Sequence, residues 1–125
     1  MDLPDGIFPV YTHRVNDVYE FLARATGFEW DDGNATKVVG RHRAGPGECE
    51  QAVFREPFVV EFNETHSKVG MRWRAFGRTS ADRRLHLVFT IHGTLIRVIA
   101  ARDMSRKERN DYEQVKASVE KNSDL

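Results

Sequence analysis

At 125 residues, with 40% hydrophobic and 30% charged residues and a formal net charge of zero, the chain fits one domain with one core and is too apolar for wholesale disorder. A single cysteine, Cys49, excludes an internal disulfide and any paired-cysteine metal or redox motif, as suits a reducing cytoplasm. No apolar run approaches the roughly 20 residues that span a bilayer, and the opening MDLPDG is acidic, so neither a membrane role nor a secretory signal is expected.

Residues 1–12 carry Pro4, Gly6 and Pro9 and read as an irregular lead-in. Apolar positions at Val15, Val18, Tyr19, Leu22 and Ala25 have helical spacing, which predicts a helix over 14–26 with Gly27 as its stop. GFEW is short and aromatic, as expected of an edge strand. DDGNATKVVGRH reads as a helix capped by Asp31 or Asp32, and GPGECEQAVF as a short helix with Pro46 in its first turn. Beyond Pro57, the segments 58–62, 72–78, 84–91 and 94–101 are rich in β-branched and aromatic residues. The turn chemistry of TSADR and HG joins the last three into an antiparallel meander. Ser105 and Glu108 form a capping-box pattern, and Tyr112, Val115 and Val119 share one face of a closing amphipathic helix. The expected class is α+β: a small antiparallel sheet of about four strands with helices on one face and an extra N-terminal helix. The corresponding division is an N-terminal extension over 1–26, a domain over 27–120 and a disordered tail over 121–125.

Zero net charge conceals a strong asymmetry. Residues 1–65 hold six Lys/Arg against twelve Asp/Glu, residues 66–109 eleven against three, and residues 110–125 two against four. The middle block is therefore basic inside an acidic frame, an arrangement that focuses field on an anion. Strand alternation places Trp73, Leu87, Phe89 and Val98 towards the helices and gathers Arg72, Arg74, Arg78, His86 and Arg97 on the other face, with Thr90 nearby. Guanidinium groups present planar donors that match phosphate oxygens. Pairing with Glu61 or Glu64, or an edge kept basic against aggregation, would account for the same residues without a ligand.

Other chemistry has little support. Five histidines and one cysteine have no metal-ligand spacing, no G-x-S-x-G is present, and Cys49 has no evident base. His42 lies between Arg41 and Arg43 at an expected helix end. There it suits either a helix-dipole contact or titration near neutral pH.

FEWDDGNATKVVGRH, GECEQAVF, RWRAFGR, LHLVFT and GTLIRVIAARDMSRKERNDYE together resemble the BrnT family of bacterial type II toxins, from Gly27 to about Glu113. The resemblance implies a RelE-like fold and a metal-independent endoribonuclease, free of cofactors, that cuts RNA and inhibits translation and growth in the cytoplasm. It also implies a BrnA-like ribbon-helix-helix antitoxin in a 2:2 heterotetramer, with DNA reached only through that antitoxin. Carried over by position, the family's basic residues fall on Arg41, His42, Arg72, Arg97 and Arg102 and its late tyrosine on Tyr112. His42, Arg72, Arg97, Arg102 and Tyr112 are the expected catalytic set, and Arg41, with Arg74, Arg78 and His86 from the strand face, is expected to bind RNA. Arg41 stands where the family pattern has lysine and supplies charge rather than an exchangeable proton. Ala100 stands where the pattern has serine. The competing expectation is a catalytically weak module that binds RNA or antitoxin and acts mainly in operon autoregulation.

Overall fold

The computed structural model describes residues 13–39, 44–62 and 72–123. Helix α1 (His13–Arg24) leads into a two-residue strand β1 (Gly27–Phe28), followed by α2 (Asp32–Val39), α3 (Pro46–Phe54) and β2 (Val59–Phe62). Strands β3 (Trp73–Arg78), β4 (Arg84–His92) and β5 (Leu95–Asp103) precede α4 (Arg106–Ser123). The expected α+β class holds, on a five-stranded mixed sheet ordered β1-β5-β4-β3-β2. β2 to β5 are antiparallel, and β1 adds a parallel edge to β5 through Gly27↔Leu95 and Phe28↔Ile96. Gly93, at φ +63°, makes the tight β4–β5 turn in a conformation that side-chain-bearing residues rarely adopt.

Register fixes the two faces. Trp73, Ala75 and Gly77 pair with Phe89, Leu87 and Leu85, which in turn face Val98, Ala101 and Asp103. Against this surface α3 lays Cys49 and Ala52, both fully buried. Gly77 permits that approach: a Cβ there would meet the Ala52 carbonyl oxygen at 2.8 Å. Pro46 begins α3, and the Gly45 amide donates to Glu48 Oε1 at 3.3 Å. The pairing skips Ile99: Phe89 faces Val98, but Val88 faces Ala100. This bulge moves Ala100 to the face opposite Val98, where strict alternation would put both on one face.

The second face is not free of helices, as a one-sided arrangement required. α4 crosses it, with Tyr112 and Val115 buried in the same cluster as Phe76 and Val59. Helices therefore flank both sides of the sheet. The capping box forms as expected: Ser105 N–H donates to Glu108 Oε1 at 2.9 Å, and Glu108 N–H to Ser105 Oγ at 3.2 Å. α4 continues through Ser123, three residues into the segment expected as tail.

α1 is an integral part of the core. Val18 is fully buried, and the Tyr19 hydroxyl accepts from Val60 N–H at 3.0 Å while donating to the Phe58 carbonyl at 3.1 Å. It thereby satisfies backbone groups along the outer edge of β2. The helical segment after β1 is anchored by Asn34, which is 4% exposed. Asn34 exchanges cap hydrogen bonds with Asp31 and donates Nδ2 to the carbonyls of Glu29 (2.9 Å) and Val98 (3.0 Å). Asn34→Ala strands several of these groups in a dry site, and at 1–3 kcal/mol per orphaned group the expected loss is about 3 kcal/mol. Chemical denaturation of the two proteins measures it; a difference below about 1 kcal/mol would mean that water replaces the side chain.

Candidate functional site

Three adjacent strands and one helix end build a charged cluster on the face that α4 crosses. His86 of β4 pairs in register with Arg102 of β5 and with Phe76 of β3, and Arg74 stands two residues before Phe76 on the same face. Arg74 Nε donates to His86 Nε2 at 3.1 Å. Arg102 grips Glu108 with both ends of its fork, Nη1 to Oε1 at 2.8 Å and Nη2 to Oε2 at 2.9 Å. Arg74 reaches the same carboxylate at 3.4 Å and Glu61 at 3.3 Å. The side chains of Arg74 and Arg102 remain 32% and 36% exposed, whereas that of Glu108 is only 15% exposed. Two cations thus lie within reach of solvent, on a carboxylate that is mostly shielded.

The protonation states follow from this packing. Burial, assisted by the charges of Arg102 and Arg74, pushes the His86 imidazole down to about 4. The ring is neutral near pH 7, with Nε2 accepting from Arg74 and the proton on Nδ1. Burial acts to raise the Glu108 carboxyl, but the Arg102 fork and the Ser105 amide outweigh it and hold the group down at about 2. The cluster therefore consists of two fixed positive charges, a carboxylate that stays ionised, and an uncharged imidazole.

Among the described residues, Arg97, Arg78 and Tyr112 stand apart from this cluster. Arg97 lies on the same face, but roughly 14 Å from Arg102 along the strand, since their β4 partners Thr90 and His86 are four ladder steps apart at about 3.4 Å per residue. It is occupied there: Nη1 meets Glu29 Oε1 and Asp31 Oδ2 at 2.9 Å each. The Asp31 carboxyl is lowered accordingly, chiefly by the hydrogen bond from Arg97. Arg78 is turned away from solvent and donates Nε and Nη2 to the Glu56 carbonyl, with Asp82 at 3.5 Å, so it serves the chain's own backbone rather than a ligand. His86, expected to touch RNA, is 7% exposed and acts behind Arg74. Tyr112 is fully buried, its hydroxyl donating to the Pro57 carbonyl at 2.6 Å, and burial raises its phenol to about 12. In this position the group ties α4 to the turn before β2 and faces the core rather than solvent.

Arg72 stands just before β3, where alternation from Trp73 directs it to the face of Arg74. It is partly exposed and has no carboxylate partner among the described residues. Arg41 and His42 lie outside the described residues. Cys49 is inert, since burial raises its thiol to about 12. Among the described residues no group of three or more His, Cys, Asp and Glu side chains could hold a metal ion, and no helix is long and apolar enough to cross a membrane.

The residue that sequence reasoning passed over is Glu108. The capping-box pattern accounts for its backbone contacts. The available signal was its position six residues after Arg102, at the start of the helix that follows that strand. Glu29 and Asp31 were likewise read as strand and cap residues, not as the partners of Arg97.

A family model described as the ribonuclease toxin, BrnT, of type II toxin–antitoxin systems matches residues 30–108. No curated protein matches the chain.

Two outcomes follow from the buried groups. An unfolded imidazole titrates near 6.5 and the folded one near 4, so on acidification the unfolded chain takes up its proton first. Stability from His86 is complete above pH 6.5 and drains away between 6.5 and 4, with Glu108 adding a further loss between 4.5 and about 2. Urea midpoints should fall between pH 7 and pH 4.5, and His86→Phe should flatten that slope; an unchanged slope would contradict a neutral buried ring. Tyr112→Phe leaves the Pro57 carbonyl unpaired in the core, at a cost of about 1–3 kcal/mol, and should leave the activity of the folded fraction intact. A folded but inactive Tyr112→Phe would restore the phenol to the reaction.

Proposed function

The chain belongs to the BrnT family of ribonuclease toxins of type II toxin–antitoxin systems, and on that premise we propose that it cuts RNA without a metal ion on the part of the sheet face that α4 leaves open. The observation that carries this reading is the pair of partly exposed guanidiniums, Arg74 and Arg102, side by side, with Arg72 on the same face. The scissile phosphate binds to these three. Arg97, one ladder region away, engages a neighbouring phosphate of the same strand by exchanging its carboxylate partners.

RNA carries its own nucleophile. The 2′-oxygen bonds to the adjacent phosphorus, the bond from phosphorus to the 5′-oxygen breaks, and the products are a cyclic phosphate and a 5′-hydroxyl. The 2′-proton passes to a base, for which His42 is the candidate, and the departing 5′-oxygen is protonated by the resulting imidazolium or by water. Arg41 beside it contributes charge only. The arginines act on the dianionic phosphorane, whose extra charge they meet with fixed donors, supplying stabilisation that a metal ion supplies elsewhere. The cellular outcome is RelE-like inhibition of translation in the cytoplasm. It is held in check by a BrnA-like ribbon-helix-helix antitoxin in a 2:2 assembly, which alone touches DNA.

The neutralisation of Arg97 and Arg102 by their own chain favours a second reading, in which the same face binds RNA or antitoxin without cutting and serves operon control. Incubating the purified chain with single-stranded RNA in EDTA separates the two. Cleavage that falls on the order of 10²–10³-fold in Arg74→Ala and Arg102→Ala is the expected result. RNA that stays intact while binding weakens steeply with salt selects the second reading.

A further inference from the structure

We infer that Glu108 is a positioning residue that holds Arg74 and Arg102 as one preorganised phosphate clamp. The inference rests on the reading that those two arginines bind the scissile phosphate.

Two guanidiniums that converge across β4 on one carboxylate repel each other, and His86 between them is buried and uncharged, so it cannot balance them. Glu61 reaches Arg74 alone. Among the described residues, Glu108 is the carboxylate that both arginines contact. Its own place is rigid. It is the third residue of α4's capping box, fastened by the Ser105 amide at 2.9 Å, and Ser105 Oγ accepts its backbone N–H at 3.2 Å. The helix cap thus sets the carboxylate, and the carboxylate sets the two forks. Arg102 is further steadied by the Asp103 carbonyl at 3.0 Å, and Arg74 by His86 at 3.1 Å. After these contacts each guanidinium still has N–H donors to spare and about a third of its side chain exposed, so the clamp can take a phosphate oxygen without first surrendering Glu108. Fixed donors act on a developing charge without the reorganisation that free arginines would need.

Glu108→Gln tests this in the full chain, because glutamine also serves at the third position of a capping box and leaves the helix start in place. Turnover of single-stranded RNA should fall about 10²-fold, as expected for misplaced groups, while KM stays level or drops because a negative charge has left the binding face. Glu120→Gln, which removes the same charge from the exposed end of α4, should change neither. Turnover that is unchanged or faster in Glu108→Gln would overturn the inference, for then the carboxylate merely competes with the phosphate. Equal losses in Glu108→Gln and Ser105→Ala, which deletes only the cap hydroxyl, would overturn it as a helix-cap effect. Should the parent cut no RNA, the reaction reading fails by itself and nitrogen-relaxation NMR of the Arg74 and Arg102 Nε–H groups decides the positioning claim. Ordered groups that become mobile in Glu108→Gln support it, and groups that stay ordered refute it.

Discussion

Arg74 and Arg102 flank β4 from the strands on either side of it, on a face that a helix crosses, and a half-buried guanidinium is tolerable only where a counter-charge meets it. Glu108 supplies that counter-charge from the first turn of α4. The same residue therefore settles two matters at once: where the last helix starts, through its bonds with Ser105, and how the basic face is arranged, through the arginines. From that start α4 proceeds over the sheet, sealing Phe76 with Tyr112 and pairing Arg84 with Glu113 at 2.7 Å. The position of the helix decides which arginines remain reachable. Arg78 and Arg84 become structural under it, while Arg72, Arg74, Arg97 and Arg102 keep contact with solvent.

What was legible in the sequence was everything that depends on local patterning. Strand alternation found β2 to β5, Pro46 and the acidic first turns found α2 and α3, and Ser105 with Glu108 found the start of α4. What escaped depends on partners distant in the chain. The edge strand at Gly27 and Phe28 was expected, but its parallel pairing requires Leu95 and Ile96 beside it. The bulge at Ile99 flips Ala100 with no glycine to announce it. Tyr112 sits where an amphipathic helix places a core residue, yet a motif shared with a ribonuclease family drew it toward chemistry. Its contact with Pro57, 55 residues away, was invisible until the chain folded. Basic residues were correctly assigned to one face, but alternation alone carries no information on which carboxylates come to meet them. Glu29 and Asp31, from the loop after β1, are such a case.

The segment that defines the family, 30–108, does not include all that holds it together. α1 precedes it and α4 lies almost wholly beyond it. Yet Val18, Tyr112 and Val115 share one buried cluster with Trp73, Phe89 and Ile96. The Tyr19 hydroxyl also closes backbone groups of β2 that would otherwise present an open sheet edge. These flanking helices are therefore part of the same cooperative unit as the matched segment, and any chemistry on the sheet face depends on them for its rigidity.

The charge state of the cluster narrows the division of labour in the proposed reaction. Arginine stays protonated at every physiological pH, Glu108 ionises with a value near 2, and His86 loses its proton near 4. None of these groups changes protonation around neutrality, so none is matched to accepting and returning a proton there. What such a set does well is oppose negative charge as it accumulates on phosphorus, because its dipoles and cations need not rearrange. Proton transfer in the proposed reaction then falls to a group outside the cluster, the role proposed for His42, between Arg41 and Arg43. In the proposed reaction, electrostatic work falls to the sheet cluster and proton work to a group outside it, because the shielded His86 keeps one protonation state around neutrality.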